Sequence, residues 1–229
     1  MVIGNGMIAT RFKEFEADNT TVIFASGVAD SGNENTEAFE REKLLLTKAI
    51  LSAEQRQLVY FSTCSIYDAT LMESAYVKHK INMEALITQK AKSFTIFRLS
   101  NPVGFTTNNK TVLNFFIQNI LTHQPFRVWK NASRNLIDID EMYTICKYII
   151  SEKLFKNAVV NIANPKNYPV PDIIAAIEQH FITKGEYALI DKGYSPQINT
   201  SPIQPLFQQF NINFTDRYLT DLLQKYFPQ

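Results

Sequence analysis

Short apolar segments alternate with amphipathic segments along the first hundred residues of this chain, and that alternation constrains the fold more than any other feature. β-Branched and aromatic residues dominate 21–25, 57–62 and 94–99, whereas apolar residues recur at helical spacing in 37–51 and 75–88. Strands that alternate with helices of this length predict a parallel sheet with helices on both faces. The sequence therefore predicts an α/β fold.

The pattern changes after Pro102, where shorter elements follow one another. We expect helices at 112–121, 140–150 and 172–181 and strands at 126–129 and 159–162, the last of which returns to the main sheet. Six prolines between Pro165 and Pro205 indicate many loops there. We expect a sheet domain of residues 1–107, rejoined by 158–164, and a smaller region of residues 108–229.

Charge and cysteine usage exclude several classes of protein. Lys+Arg total 23 against 22 Asp+Glu, without a basic block, which argues against nucleic-acid binding. The three histidines have no ligand spacing, so no metal site is expected. Two cysteines make no disulfide framework, and the first residues lack the pattern of a signal peptide. No apolar run reaches the roughly 18 residues of a membrane span, so we expect no membrane partner and a cytoplasmic location.

Glycine is scarce, at 7 of 229 residues, yet Gly4 and Gly6 stand one residue apart before Ala9. They follow an apolar pair and precede a segment, 7–15, with helical spacing of apolar residues. A glycine turn between a strand and a helix brings the backbone close to a pyrophosphate. A tight strand-to-helix turn without a ligand has the same sequence, so the motif alone leaves both readings open.

Tyr76 and Lys80 are four residues apart in a predicted helix and therefore lie on one face. A phenol has a pKa near 10, and lowering it to about 7 takes about 4 kcal/mol of preferential stabilisation of the phenolate. An ammonium one turn away is a physical source of that stabilisation. The alternative is an exposed helix on which the two residues have no joint role.

A run of small polar residues, Ser62-Thr63-Cys64-Ser65, follows the predicted strand 57–62. Ligands of open parallel sheets bind beyond the carboxyl ends of the strands, and a hydroxyl there can hydrogen-bond a substrate oxygen. A polar turn at a strand end is the alternative reading.

Taken together, these features resemble the extended short-chain dehydrogenase/reductase family of nucleotide-sugar epimerases and dehydratases. The similar segments occur in the family's order along nearly the whole chain: VIGNGMIATRF, VIFASG, LVYFSTCSIYD, YVKHK, FRLSNPVGF, RNLIDIDEM and VVNIAN. The resemblance implies a Rossmann-like sheet, an NAD or NADP cofactor and a nucleotide-sugar substrate.

The resemblance also implies roles for individual residues. Thr63, Tyr76 and Lys80 would be catalytic, with Tyr76 as general acid/base and Lys80 lowering its pKa and holding the nicotinamide ribose. The implied cofactor contacts are Gly4, Gly6, Met7, Ile8, Ala25, Ser26, Gly27, Ser62, Tyr76 and Lys80. The implied substrate contacts are Cys64, Ser65, Asn101 and Arg134, although a small buried hydrophobe is the expected role of Cys64.

The chain is shorter than members of this family. Only residues 10–21 separate Ala9 from Val22, whereas the family has two more strands and a helix there. In the family those strands carry the acidic or basic side chain that binds the adenosine ribose, so we expect weak cofactor affinity. A rival alignment makes 21–25 the second strand and Asp30 the ribose acid. If the two strands are deleted, the first strand becomes an unpaired edge of the sheet. We therefore hypothesise that a second copy of the chain, in a homodimer, or another external element covers this edge.

The residues after Thr63 narrow the reaction that the resemblance implies. The 4,6-dehydratases carry Asp-Glu at this position, and this chain carries Cys64-Ser65, so dehydration is not expected. What remains is oxidation and reduction at the sugar C4, in an epimerase or a ketoreductase. The alternatives are a non-catalytic nucleotide or nucleotide-sugar binding protein and, with less support, a scaffold.

Overall fold

A computed structural model of the chain describes residues 1–228, and a parallel sheet lies at its centre. The strands are β1 (Val2–Ile3), β2 (Thr21–Phe24), β3 (Gln57–Thr63), β4 (Phe94–Leu99), β5 (Asn101–Val103), β6 (Phe126–Trp129), β7 (Ser133–Arg134), β8 (Leu136–Asp138), β9 (Ala158–Ile162), β10 (Tyr168–Pro169) and β11 (Tyr187–Ile190). The α-helices are α1 (Met7–Arg11), α2 (Thr36–Ala53), α3 (Ala75–Lys90), α4 (Val112–Leu121), α5 (Ile139–Ser151), α6 (Val170–Phe181), α7 (Gln204–Gln209) and α8 (Tyr218–Tyr226).

The main sheet has the strand order β1-β2-β3-β4-β9, and each neighbouring pair is parallel. Helices connect the successive strands, with α2 between β2 and β3 and α3 between β3 and β4. The predicted α/β, Rossmann-like fold is therefore confirmed. β9 rejoins the sheet beside β4, where Leu99 is paired with Ile162.

Alternate residues of the inner strands face the two sides of the sheet, and both sides are buried. Tyr60 and Ile96 pack with Leu46 of α2 on one side. On the other side Phe61 and Phe97 join a larger apolar cluster that extends into the C-terminal region. The two regions of the chain therefore share one core.

The strand order decides between the two alignments of the N-terminal segment. In the rival alignment the strand at 21–25 is an outer strand on the far side of β1 from β3. In the structure β2 lies between β1 and β3, and β1 is the edge of the sheet. The rival alignment, with Asp30 as the ribose acid, is therefore wrong, and the two outer strands are missing from the described sheet.

Several elements differ from the predicted ones. The helix expected at 7–15 ends at Arg11 and continues as a 3₁₀ helix, Lys13–Ala17, which turns Phe15 into the core. The C-terminal helices α7 and α8 were not predicted, and α8 packs against α6. None of the helices within residues 1–228 is both long enough and apolar enough to cross a lipid bilayer.

Candidate active site

A cleft of about 380 Å³ opens at the carboxyl ends of the parallel strands. This size is within the range of small-molecule sites, roughly 300–1,000 Å³. Segments that follow β1, β2 and β3 form one wall, and segments that come after β4 in the chain form the other. The lining includes most of the residues that the sequence singled out: Gly6, Met7, Ile8, Ala25, Gly27, Ser62, Thr63, Cys64, Ser65, Tyr76, Lys80, Asn101 and Arg134.

Thr63 and Tyr76 approach each other from different elements. Thr63 is the last residue of β3, and its hydroxyl caps the following 3₁₀ helix by accepting a 3.0 Å hydrogen bond from the Ser65 N–H. Tyr76 is in the first turn of α3, which the Ser74 hydroxyl caps. Both side chains are buried; the Thr63 hydroxyl donates to the Ser65 hydroxyl at 2.9 Å and is near enough to Tyr76 to lower the pKa of the phenol. The structure therefore places two hydroxyls together on the wall of the cleft.

Lys80 lies one turn beyond Tyr76, with Nζ 5.9 Å from the centroid of the Tyr76 ring. Its hydrogen bonds go elsewhere, to Glu42 Oε1 at 3.0 Å and to the Tyr60 hydroxyl oxygen at 3.1 Å. Burial lowers the pKa of Lys80, and the Glu42 carboxylate partly offsets that effect. The ammonium is therefore paired with a carboxylate rather than with the phenol.

Glu42 is fully buried on α2 and accepts hydrogen bonds from several elements. The Tyr60 hydroxyl donates to Oε1 at 2.6 Å, the Val28 N–H donates to Oε2 at 2.6 Å, and His79 Nε2 lies 3.0 Å from Oε2. Burial raises the pKa of this carboxyl, but the His79 hydrogen bond and the Lys80 charge outweigh it and bring the pKa to about 2. Glu42 is therefore ionised at neutral pH.

The pKa of Tyr76 differs from the expectation that Lys80 lowers it. Burial is the main cause and raises this pKa to about 12; Thr63 lowers it, and the Glu42 charge adds to the increase. The Lys80 ammonium does not offset these effects, because it is hydrogen-bonded to Glu42 rather than to the phenol. In this structure Tyr76 is a neutral phenol.

The cofactor side of the cleft contains most, but not all, of the residues assigned to it. Gly4 and Ser26 are outside the lining. Gly4 has φ of +134°, and a Cβ there would lie 2.4 Å from the Ala25 carbonyl oxygen, so the turn requires glycine for close packing. The Ser26 hydroxyl accepts a hydrogen bond from Arg41. Helix α1, which follows the glycines, has only five residues.

Ser62 and Cys64 line the cleft, but their side chains are engaged with the protein. The Ser62 hydroxyl donates to Glu84, which in turn pairs with Arg98. The Cys64 thiol donates to the Arg98 carbonyl at 3.2 Å, and burial raises the pKa of this thiol to about 12. A protonated thiol cannot remove a proton from carbon, and the Cys64 side chain is buried at the base of this wall.

The opposite wall presents Arg134 and Asn101. The Asn101 amide donates to the Asn135 carbonyl at 2.8 Å, which ties the end of the sheet to this wall. Arg134 donates to the Ser133 carbonyl at 2.8 Å, and within residues 1–228 no carboxylate lies within 4.0 Å of its guanidinium. Burial lowers the pKa of Arg134, and the charge of Asp68 opposes that effect. A desolvated guanidinium with few acceptors suits an anionic ligand.

Three features of the cleft escaped the sequence analysis. Glu42 belongs to a helix whose other glutamates are exposed. Asp68 is buried beside Arg134. An ion pair of 2.6 Å joins Asp30, after β2, to Lys110, before α4, across the mouth of the cleft. The burial of Glu42 has a sequence signal, since it is at helical spacing from the buried Leu46, Ala49 and Ala53.

Comparisons with known proteins agree with the geometry. A model of the NAD dependent epimerase/dehydratase family matches residues 7–163. No curated protein matches the chain.

Solved structures give the same fold at low sequence identity. UDP-glucuronic acid 4-epimerase from Bacillus cereus, solved with UDP-glucuronic acid and NAD, has a TM-score of 0.72 and 15% identity over 93% of this chain and 76% of that one. RMD from Pseudomonas aeruginosa, solved with NADPH, has a TM-score of 0.68 and 13% identity over 89% of this chain and 91% of that one. UDP-N-acetylglucosamine 4-epimerase from Methanobrevibacter ruminantium has a TM-score of 0.66 and 17% identity over 93% of this chain and 76% of that one. Because the family match covers more than half of its residues, the chain belongs to the NAD dependent epimerase/dehydratase family.

Proposed function

We propose that the chain is an NAD(P)-dependent nucleotide-sugar epimerase or ketoreductase that acts at the sugar C4 through Thr63, Tyr76 and Lys80. The observation that carries this proposal is the convergence of these three side chains on one cleft with the cofactor-side segments Gly6–Ile8 and Ala25–Gly27. Family membership and relatives solved with NAD or NADPH support a nicotinamide cofactor. Relatives solved with UDP-sugars support a nucleotide-sugar substrate.

The residues present fit one half of a dinucleotide better than the other. Tyr76, Lys80 and Gly27 would hold the nicotinamide ribose, and Gly6 would lie by the pyrophosphate, since a Cβ at Gly6 would meet nothing within 4 Å. The adenosine half has little protein to contact, because β1 is the edge of the described sheet. When bound, the nicotinamide supplies or takes up hydride at the sugar carbon.

The chain's own residues transfer the proton and orient the sugar. Tyr76 exchanges a proton with the oxygen on C4, and Thr63 hydrogen-bonds the same oxygen. Arg134 pairs with the diphosphate of the nucleotide through two N–H groups, which fixes the sugar relative to the two hydroxyls. Asn101 lies on the same wall as Arg134 and contributes an amide to the sugar or its phosphates.

Replacing Tyr76 with Phe tests the mechanism. The Y76F variant removes one hydroxyl and keeps the ring packing, so turnover should fall by at least about a hundredfold, the range of a lost general acid/base. The melting temperature should stay nearly unchanged. For a ketoreductase, turnover is followed by nicotinamide absorbance with the 4-keto derivative of UDP-glucose; for an epimerase, which leaves the nicotinamide unchanged overall, it is followed by chromatographic separation of UDP-glucose from its C4 epimer. Activity within a few-fold of wild type would exclude Tyr76 as the acid/base.

A second candidate is a binding protein that takes up nucleotide-sugars without turning them over. The absent outer strands and the high pKa of Tyr76 favour it. Chromatography of what heat releases from the purified protein separates the two functions. A nicotinamide dinucleotide supports the enzyme, and a nucleotide-sugar without dinucleotide supports the binding protein.

A homodimer across the β1 edge is the proposed assembly. Val2 and Ile3 pair with β2 on one side only. An unpaired edge strand can add a second copy of the chain by hydrogen bonding. Light scattering coupled to size exclusion tests this proposal, because a mass of 26.3 kDa would show a monomer instead.

A further inference from the structure

The carboxylate of Glu42 connects the segment after β2 to helix α3. It accepts hydrogen bonds from the Val28 N–H of that segment, from the Tyr60 hydroxyl of β3 and from Lys80 of α3, and it contacts His79 of the same helix. Each of these groups is buried or amide backbone, and Glu42 itself has no exposed surface. The network is therefore largely shielded from solvent, and charges interact strongly in such a buried environment.

Gly27 allows this network to lie against the backbone of the β2–α2 segment. A Cβ at position 27 would lie 2.6 Å from Lys80 Nζ and 2.9 Å from Glu42 Oε1. The absence of a side chain there leaves room for the ammonium next to the carboxylate. Gly27 is thus compatible with the hydrogen bond from Lys80 to Glu42, which a side chain at this position would obstruct.

The groups around Tyr76 act in opposite directions. Thr63, the last residue of β3, lowers the pKa of the phenol, and the Lys80 ammonium is 5.9 Å from its ring. The carboxylates of Glu42 on α2 and Asp30 in the β2–α2 segment oppose formation of a negative charge on the phenol. Glu42 and Lys80 are 3.0 Å apart, so the carboxylate offsets part of the field that the ammonium exerts at Tyr76.

We propose that Glu42 is a positioning residue that binds the Lys80 ammonium and thereby keeps Tyr76 a neutral proton donor, so that the site favours reduction of a carbonyl over oxidation of an alcohol. This inference rests on the proposed function for its chemistry and selects a direction within it.

The direction follows from the balance of protons and electrons. In reduction, the carbonyl carbon gains hydride from a reduced nicotinamide dinucleotide, the C=O π pair moves to oxygen, and that oxygen takes the Tyr76 proton. The products are an alcohol, the oxidised dinucleotide and a Tyr76 phenolate, which regains a proton from water. Oxidation of an alcohol requires the phenolate beforehand, and Glu42 disfavours that state.

The experiment measures ionisation of Tyr76 directly, in the full-length protein. Tyrosine labelled with ¹³C at Cζ is incorporated, and the Tyr76 signal is assigned from its loss in Y76F. We expect the wild-type signal to remain that of a phenol up to about pH 10.5, above the ordinary tyrosine value of about 10. In E42Q the uncompensated ammonium should lower the midpoint by at least about one pH unit, the usual minimum for a close charge.

Two further variants separate charge from structure. E42D keeps the carboxylate and should keep the wild-type behaviour of Tyr76. E84Q removes another buried carboxylate, the partner of Arg98, and should leave the Tyr76 midpoint unchanged. A wild-type midpoint below about pH 9 would overturn the proposal, even if E42Q fails to fold. Equal midpoints in wild type and folded E42Q would also overturn it.

The measurement needs no turnover, so it separates this inference from the proposed function. If the protein is inactive but Tyr76 titrates as expected, the role of Glu42 is supported and the proposed reaction is contradicted. If the enzyme is active but Tyr76 ionises near neutral pH, the proposed reaction is supported and the role of Glu42 is contradicted.

Discussion

Lys80 has two neighbours that could use its charge, the Tyr76 phenol and the Glu42 carboxylate, and it is hydrogen-bonded to the carboxylate. The spacing of Tyr76 and Lys80 correctly predicts that they share a helical face. It cannot show which third group meets the ammonium, because Glu42 is on a different helix and approaches only through the packing of α2 on α3. The positions of these residues were therefore predictable, and the pKa of Tyr76 was not.

The low pKa of Glu42 makes the stability of the fold dependent on pH. The folded pKa of about 2 is below the ordinary 4.5, so this carboxylate stabilises the fold above pH 4.5 and loses that effect as the pH falls toward 2. The contribution is about 3 kcal/mol. We expect urea unfolding to show a smaller loss of stability between neutral and acid pH for E42Q than for wild type.

The exposed Glu40 on the same helix provides the control for this measurement. E40Q should keep the wild-type dependence of unfolding free energy on pH. If E42Q and wild type lose equal stability on acidification, the low pKa of Glu42 is wrong.

Arg134 should control affinity for the substrate diphosphate. Replacement by Met removes charge-assisted hydrogen bonds worth about 1.5–3 kcal/mol, so UDP should bind roughly 10- to 150-fold more weakly. R134K should recover only part of this affinity, since an ammonium cannot pair two oxygens as a guanidinium does. Calorimetry measures both, with the exposed Arg127 in R127M as control. Unchanged binding in R134M would show that the diphosphate lies elsewhere.

At the scale of elements, regular hydrophobic spacing predicted most of the fold. The bounds of β4, α4 and β6 agree with the predicted ones at both ends. Helix α8 was missed although Tyr218, Leu219, Leu222, Leu223 and Tyr226 have helical spacing, because the prolines of the preceding stretch suggested only loops. The pairing of β6 with β11 could not be predicted, since short strands distant in sequence have no signal for register.

The segments joined by Asp30 and Lys110 form the mouth of the cleft. Their 2.6 Å ion pair is partly exposed, and such pairs contribute at most about 1 kcal/mol. In K110M we expect NADH to dissociate up to about fivefold faster at low salt. Raising the salt concentration to about 0.5 M should bring the NADH dissociation rate of wild type toward that of K110M, because salt screens the ion pair.

Stopped-flow fluorescence measures these dissociation rates. The matched control is K78M, which breaks the exposed pair between Lys78 of α3 and Glu73. Equal rates for wild type and K110M at both salt concentrations would show that the ion pair does not hold the mouth closed.

At the scale of the whole molecule, β1 as the sheet edge distinguishes this chain from a complete dinucleotide-binding fold. The shortness of residues 10–21 predicted this truncation, and the strand order agrees with it. What the sequence could not indicate is how the remaining cleft is built, because its second wall comes from short elements with weak patterns.

The missing strands should remove most of the affinity for the adenosine half of the cofactor. We expect reduced nicotinamide mononucleotide to bind within about tenfold, or 1.4 kcal/mol, of NADH. Fluorescence titration of both ligands measures the ratio. A preference of several hundredfold for NADH would show that another surface, such as a second copy of the chain, contacts the adenosine.

The position of β9 has a consequence for how the chain reaches its native state. It pairs with β4 so that Leu99 lies beside Ile162, although residues 100–157 separate the two strands in sequence. The Asn161 side-chain oxygen also accepts a 3.0 Å hydrogen bond from the Tyr67 hydroxyl. During synthesis one edge of β4 therefore stays unpaired until residues 158–162 have been made, while the other edge can pair with β3. Long-range pairings of this kind are slow to form. A nascent chain that ends before residue 158 would therefore leave β4 as the edge of the sheet and would lack Pro196, Ile198 and Phe227 from the lining of the cleft.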